Sequence, residues 1–460
     1  MNAEQPSGPD LRGLLQSGDE TKVAQTLDAW LPADVAFALR PWTETEQAAA
    51  FRLLKGPQAV HTFEYFDRAT QYRILNQLPS EISARLLNDM APDDRTALLS
   101  SLPRADSLHL LALMSEEQQA VARSLLEFPE GTVGRLMTPH FVAAREHWTI
   151  AELLDFIRNH GTDSETLNVV YVVDPAHHLV DDIRMRQVLL ARPQETVATL
   201  MDRRFVALNV TDDKRRAVDL FRRYDRTALP VVDAQGVLRG IVTIDDMLDI
   251  AEQAATNEIQ RLGGTEALEE PYVQTPLLSM VRKRASWLVV LFLGELLTAT
   301  AMGYFEKEIE RAVVLALFVP LIISSGGNSG SQAATLIVRA LALGEVRIRD
   351  WWLVLRRELV SGAMLGGILG TIGFLRIAIW SGFSTIYGPH WLLVACTVGL
   401  ALIGIVLWGT ISGSMLPFIL KSLSLDPATS SAPFVATLVD VTGLVIYFTV
   451  ASLVLKGTLL

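Results

Sequence analysis

The sequence predicts a multidomain protein: an all-α helical-repeat domain, an α/β tandem module, and an α-helical membrane domain with five transmembrane helices. Three observations predict it. A repeating pattern fills residues 31–126 four times over, the segment 172–190 is matched by 231–249, and five apolar runs follow residue 280. Charge divides at the same place. Before Val281 there are 27 Lys/Arg against 42 Asp/Glu, and from Val281 onward 13 against 9. So acidic a first part argues against nucleic acid as a partner and suits cations. A lone cysteine, Cys396, excludes an intramolecular disulfide and a Cys-based zinc site. The N-terminal stretch carries no charged-then-apolar signal, so the soluble part is expected to stay in the cytoplasm.

The four repeat units begin at Leu31, Lys55, Pro79 and Pro103. Their ninth positions are Leu39, Phe63, Leu87 and Leu111, their twelfth Trp42, Phe66, Met90 and Met114, and their last Leu54, Leu78, Leu102 and Leu126. Each unit holds two short helices with a turn after the twelfth position, where Thr43, Asp67 and Ser115 are cap residues. Repeats of this kind stack into a helical solenoid, and a scaffold is the expected role. The "APDDR" turn (91–95) sets Asp93 and Asp94 at a helix start, where the helix dipole alone accounts for them.

In the tandem module, "VVDPAHHLVDDIRMRQVLL" (172–190) matches "VVDAQGVLRGIVTIDDMLD" (231–249). Each reads as a strand ending in Asp, a turn, a second strand and a helix. The pair resembles the CBS module, a sensor of nucleotides or ions. The second copy fits that pattern. The first departs from it, with Asp181 and Asp182 where a glycine and an apolar residue are usual. An acidic helix follows, "IDDMLDIAEQAATNEIQRLGG" (244–264), in which Asp245, Asp249 and Glu252 share a face.

The apolar runs lie near 285–304, 312–334, 358–380, 391–419 and 433–455, each around the ~20 residues that span a bilayer. The more basic connections precede the first run and join the second to the third. The positive-inside rule then puts the N-terminus in the cytoplasm, and an odd number of spans puts Leu460 outside. The third run has a small-residue face, Gly362, Gly366, Gly370 and Gly373, read as helix packing. The second contains "PLIISSGGNSGSQAAT" (320–335). Its glycines and amides either loosen the helix, exposing carbonyls to protein or a wet cavity, or kink it for packing. The fifth, "PFVATLVDVTGLVIYF" (433–448), buries an acid, Asp440, about 12 Å along its helix. An intramembrane acid costs a few kcal/mol and is a functional candidate by default. Ala436, one turn earlier, opens space and offers a carbonyl. A carboxylate with neutral oxygens suits a hard cation such as Mg2+; an interhelical hydrogen bond or a proton relay is the plainer alternative. Glu295 in the first run is a weaker sibling.

This order of parts resembles the MgtE-type magnesium channels and transporters. "GGNSGSQAATLIVRAL" (326–341), "SMLPFILKSLSLDPA" (414–428) and "PFVATLVDVTGLVIYF" carry the resemblance most specifically. It implies a homodimer in lipid with its pore on the two-fold axis. The two copies of Asp440 would hold hydrated Mg2+, with the Ala436 carbonyl beside them and Asn328, Gly327 and Gln332 close by. The acidic helix resembles the family's plug helix. Cytosolic Mg2+ would close the pore by bridging carboxylates, those here being Asp93, Asp225, Asp246, Asp249, Glu258 and Asp426. The resulting division is 1–30 extension and first helix, 31–132 helical repeat, 133–250 CBS pair, 251–280 plug and linker, and 281–460 pore domain.

Two departures follow. Where the family's plug carries acids, this chain has Ala254 and Asn257, which implies a higher closing concentration of Mg2+. Gln187 stands in place of an acid that could hold a ribose, and Arg226 in place of an aromatic that could stack on adenine. Both weaken the case for ATP binding. The expected function is Mg2+ uptake gated by cytosolic Mg2+. The alternatives are a carrier for Mn2+ or Co2+ and a non-transporting membrane-anchored sensor. An enzyme is not expected, because no nucleophile–base pair and no phosphate loop with its lysine is found.

Overall fold

The repeat period sets the first half of the molecule. Helices α3 (Pro32–Leu39), α5 (Gly56–Glu64), α7 (Ser80–Asp89) and α9 (Arg104–Leu113) each begin one repeat period after the last. So do α4 (Glu44–Leu53), α6 (Arg68–Gln77), α8 (Pro92–Ser101) and α10 (Glu116–Leu126). Thr43, Asp67 and Ser115 each cap the following helix by accepting from a backbone amide further along the first turn. The computed structural model describes residues 11–16, 18–268, 272, 275–429 and 431–459. It divides into two units, Met1–Ala251 and Glu252–Leu460. The start of the expected extension, 1–10, and Leu460 lie outside the described residues.

Each helix packs on its counterpart one repeat further along, and the ninth-position side chains Leu39, Phe63, Leu87 and Leu111 are buried in one continuous core. A second register of the repeat is polar. Gln47 and Gln71 each donate through Nε2 to the carbonyl of the ninth residue of their own unit, Leu39 and Phe63, at 3.0 Å. In the third unit Arg95 takes that position and donates to the Leu87 carbonyl, also at 3.0 Å. These bonds satisfy carbonyls that the first helix of each unit leaves unpaired at its end. After a short α1 (Leu11–Gln16), helix α2 (Glu20–Ala29) starts one repeat period before α4 and packs on it. The array thus begins one helix earlier than the sequence pattern indicates.

The tandem module, entered through α11 (Val133–Leu136), is a duplicated three-stranded sheet. Strand β1 (Ala143–Ala144) pairs parallel to β2 (Val169–Val173), which pairs antiparallel to β3 (Leu179–Arg184). Strands β4 (Leu208–Asn209), β5 (Ala228–Val232) and β6 (Leu238–Thr243) repeat this order. Asp174 and Asp233, equivalent in the two copies, hold the hairpin turns by accepting from the amides of His178 and Val237. The helices repeat as well. Helix α12 (Ile150–His160) precedes β2 and α13 (Met185–Leu190) follows β3; α14 (Lys214–Tyr224) precedes β5 and α15 (Ile244–Leu262) follows β6 without a break.

In the second unit, five helical segments among the described residues are long and apolar enough to cross a membrane. They contain α16 (Leu277–Tyr304), α18 (Val319–Ala342), α19 (Trp351–Ser381), α20 (Trp391–Ser422) and α21 (Ala432–Val454), with the short charged α17 (Glu306–Arg311) after the first. Three of them correct the sequence boundaries. Helix α16 begins at Leu277, so Arg282, Lys283 and Arg284 are helical. Helix α18 begins after a 3-10 turn at Val313–Phe318 and runs on to Ala342. Helix α19 begins at Trp351, so Arg356, Arg357 and Glu358 are helical. Long charged side chains at a helix end can reach the interface, so charge does not stop the helix there.

The glycine-rich stretch is a further correction. Of the two readings, a loosened helix or a packing kink, neither break is present: α18 is unbroken α-helix through Gly326, Gly327, Asn328 and Gly330. Its glycines serve packing instead. A Cβ on Gly326 would stand 2.5 Å from Ile405 and 2.7 Å from Val439, and one on Gly409 would stand 2.5 Å from the Gly326 carbonyl oxygen. Helices α18, α20 and α21 thus meet at backbone distance. The face of Gly362, Gly366, Gly370 and Gly373 does the same between α19 and α20.

Candidate cation site

Helices α18 and α21 bring the intramembrane candidates together. Gly327 is buried beside both Ala436 and Asp440: a Cβ there would lie 3.4 Å from the Ala436 Cβ and 3.3 Å from Asp440 Oδ1. Asn328 and Gln332 lie on exposed positions of α18, and Asn328 donates to Ser324 Oγ at 3.3 Å. Ser331, which the sequence reading did not single out, donates to the Ala432 carbonyl at 2.9 Å and ties α18 to the first turn of α21. The signal was available: Ser324, Asn328, Ser331 and Thr335 recur at spacings of four, three and four, a polar stripe on a helix. Helix α16 crosses α21 one turn before Asp440, with Gly294 against Thr437. Glu295 follows, is exposed, and accepts from Thr298 at 3.4 Å.

The six acids proposed for the sensor do not form one set. Asp93, in the first turn of α8, and Asp246, in the first turn of α15, come together in the first unit. Asp94, Asp245, Glu64 and Glu165 surround them. Burial is the first cause, and mutual repulsion the next, that raises these acids. Asp94 and Glu165 are pushed up to about 7, Asp246 to about 6, and Asp93 well above the usual carboxylate range. Thr243 Oγ1 donates to Asp246 at 2.8 Å and opposes the shift. Asp93 is only 8% exposed, and its Oδ1 has no hydrogen-bond partner among the described residues. The helix dipole is therefore an insufficient account of Asp93, since a dipole would not leave a buried carboxylate oxygen orphaned among other acids. Arg95 is fully buried on the same helix, and its charge acts on Asp93.

Asp225 and Asp249 belong elsewhere. Asp225 is exposed and ends α14 in the left-handed conformation, at φ 50°. Asp249 is exposed one turn beyond Asp245. Glu258 and Asp426 meet in the second unit, where burial and the Asp426 charge raise Glu258 while Arg339 opposes them. Asp426 is already ion-paired with Arg261 of α15. Among the described residues, no three His, Cys, Asp or Glu side chains converge to chelate one ion directly. These acids suit an ion that keeps its water, as Mg2+ does.

The departures in the tandem module have structural uses. Asp181 is buried and accepts from the amides of Asp202 and Arg203, each at 2.9 Å. Asp182 pairs with Arg226 of the second copy at 3.5 Å. Gln187 caps its own helix by accepting from the Arg184 amide at 3.1 Å.

Five apolar helices, with a carboxylate where α18 meets α21, are joined in one chain to an acid-rich unit, an arrangement that suits a cation transporter. A family profile described as a divalent cation transporter matches residues 319–450, the MgtE intracellular N domain profile matches 30–131, and the CBS domain profile matches 197–252. The chain is 35% identical to the magnesium transporter MgtE of Thermus thermophilus over 99% of its own length and 100% of that protein's. It is 27% identical to that of Bacillus subtilis, with 95% of each chain covered. Among solved structures, the cytosolic domain of an MgtE Mg2+ channel in complex with ATP is 30% identical with a TM-score of 0.51, covering 52% of this chain and 98% of that one. The chain belongs to the MgtE family of magnesium transporters.

Proposed function

We propose that this chain is a homodimeric Mg2+ channel of the plasma membrane, with the N-terminus and CBS pair cytoplasmic and the C-terminus outside. The observation that carries this reading is the contact of Gly327 with Ala436 and Asp440, which leaves the carboxylate beside a residue with no side chain. On a two-fold axis, one such acid per chain becomes two per pore. Two facing acids need a divalent cation, or a proton, between them. The donors are oxygens, with neither His nor Cys among the assigned residues, which counts against a soft-metal site.

The acid group around Asp93 and Asp246 supports gating by cytosolic Mg2+. Asp93, Asp94, Asp246 and Glu165 would hold the hydrated ion, and its charge would relieve their repulsion. Glu258 and Asp426 form the corresponding group at the membrane end. A relative's cytosolic domain binds ATP. In this chain Arg226 is held by Asp182 and Gln187 by the Arg184 amide, which weakens nucleotide contacts at both positions.

Growth rescue of a magnesium-auxotrophic host tests the reading. The wild-type chain is expected to support growth at low Mg2+, and Asp440→Ala is not. Full rescue by the alanine variant would remove Asp440 from the pore.

A further inference from the structure

Helix α15 ends in a turn that is locked onto the entry of the pore helix. Gly264 closes the helix in the left-handed conformation (φ 73°), its amide donating to the Arg261 carbonyl at 2.9 Å. A Cβ on Gly264 would stand 2.8 Å from Trp287 Cδ1 and 3.5 Å from Pro433. Trp287 lies in the third turn of α16. Its indole Nε1 donates to Ser431 Oγ at 3.1 Å, and the same Oγ caps α21 by accepting from the Phe434 amide at 3.4 Å. The Trp287 and Phe434 rings lie 6.1 Å apart. Ser431 is fully buried, and α21 carries Ala436 and Asp440 over its next two turns.

The residues that follow Gly264 are also held. Lys283 Nζ donates to the Ala267 carbonyl at 2.7 Å, and Ser286 Oγ donates to Glu266 at 3.0 Å. A cavity of about 460 Å³ adjoins the contact, lined in part by Arg261, Gly264, Trp287 and Asp426, and leaves the turn room to shift. A shift of the α15 turn therefore meets the indole first, and the indole is bonded to the cap of the helix that holds the pore acid.

We propose that Trp287 is a positioning residue that transmits movement of α15 to α21 through Ser431. It rests on the gating reading above and adds the physical link that reading lacks. The test is the Mg2+ concentration for half-closure, measured electrically on the full chain in wild type, Trp287→Phe, Ser431→Ala and the double variant. Trp287→Phe keeps an aromatic ring and loses the donor, so it spares folding even where loss of the Ser431 cap does not. Each single variant is expected to raise the half-closing concentration by about 2- to 10-fold, the range one hydrogen bond can supply. The double variant should shift no further than the larger single, and the open-channel current should stay at the wild-type value. Closure of Trp287→Phe at the wild-type concentration, with only its thermal stability lowered, would overturn the link and leave gating intact. Wild type that fails to close at any Mg2+ concentration would overturn the gating reading itself, and the link with it.

Discussion

Gly327 of α18 faces Asp440 of α21 directly: the nearest atom to a Cβ at this position is Asp440 Oδ1, at 3.3 Å. The distance is tight for a methyl group and forbids anything larger unless the carboxylate moves. Gly327→Ala is thus expected to lower Mg2+ uptake by a few-fold, and Gly327→Val by more than tenfold, at equal amounts of protein in the membrane. Uptake in vesicles loaded with a Mg2+ indicator reads both. Equal flux through wild type and the valine variant would place the pathway away from this contact.

Asp440 gives the complementary case. Asp440→Asn keeps the shape and loses the charge, so transport should fall by at least tenfold. Stability in detergent should hold or rise, since an intramembrane acid costs a few kcal/mol. Thermal unfolding and uptake, measured on one preparation, separate the two. A variant that transports normally, or that loses activity only by unfolding, contradicts the assignment.

The acid group of the first unit gives a pH dependence with a definite sign. Asp94 and Glu165 are raised to about 7 and Asp246 to about 6, all above their ordinary values of 3.8 or 4.5. The folded chain therefore holds more protons than the unfolded chain between those limits, and stability falls as pH rises through the window from about 4 to 7. Below it the penalty is absent; above it the penalty is complete. Mg2+ should restore stability where the acids are ionised. At pH 8, 10 mM Mg2+ is expected to raise the melting temperature of the first unit by several degrees, and at pH 5 by little. Asp93→Asn should stabilise the Mg2+-free form by about 1–2 kcal/mol and shrink the Mg2+ effect. An equal Mg2+ shift at both pH values would sink the site.

Glycine packing can be tested against an internal control. A Cβ on Gly409 would lie 2.5 Å from the Gly326 carbonyl oxygen, a backbone atom that cannot rotate away, whereas one on Gly367 would meet nothing within 4 Å among the described residues. Gly409→Ala is expected to cost about 1–3 kcal/mol, and Gly367→Ala to cost nothing. Thermal unfolding of the two variants in one detergent decides this.

What the sequence made legible follows from periodicity. The helical repeat, the duplication of 172–190 in 231–249 and the apolar runs each report a repeating local geometry, so α3–α10, the paired sheets and the spans could be read directly. Asp440 was legible because charge in an apolar run has no bland alternative of equal weight. The cluster at Asp93 was only partly so. Asp94 is Asp93's neighbour in α8, but Glu64 and Glu165 come to it from other segments, and sequence spacing carries no information about such convergence. The choice between loosening and packing for the glycines of α18 stayed open for a related reason. Glycine loosens an isolated helix, but here Gly409 and Val439 on other helices occupy the space it frees. Arg95 shows a third limit: its register with Gln47 and Gln71 is visible only once their shared carbonyl contact is known.

The plug helix gives the last prediction. Ala254 and Asn257 stand where acids would add bridging charge, and Asp426 is already paired with Arg261. That pair is about half exposed, at 48% and 42% of its side-chain surfaces, so it contributes at most about 1 kcal/mol. It nevertheless supplies one positive charge that Mg2+ would otherwise bring. On the proposed gating, closure would draw on fewer carboxylates than an acidic plug provides, and ion affinity tracks that number. Adding two of them, as Ala254→Glu with Asn257→Glu, is expected to lower the half-closing Mg2+ concentration by about 3- to 10-fold, since site affinity is tuned by ligand charge. Arg261→Gln should act in the opposite sense at zero Mg2+, raising the open fraction by removing the cation that pairs with Asp426. Magnesium titration of channel current in the wild type and both variants measures this. If the glutamate variant closes at the wild-type concentration, charge at positions 254 and 257 does not set the sensitivity, and the group around Asp93 and Asp246 must set it.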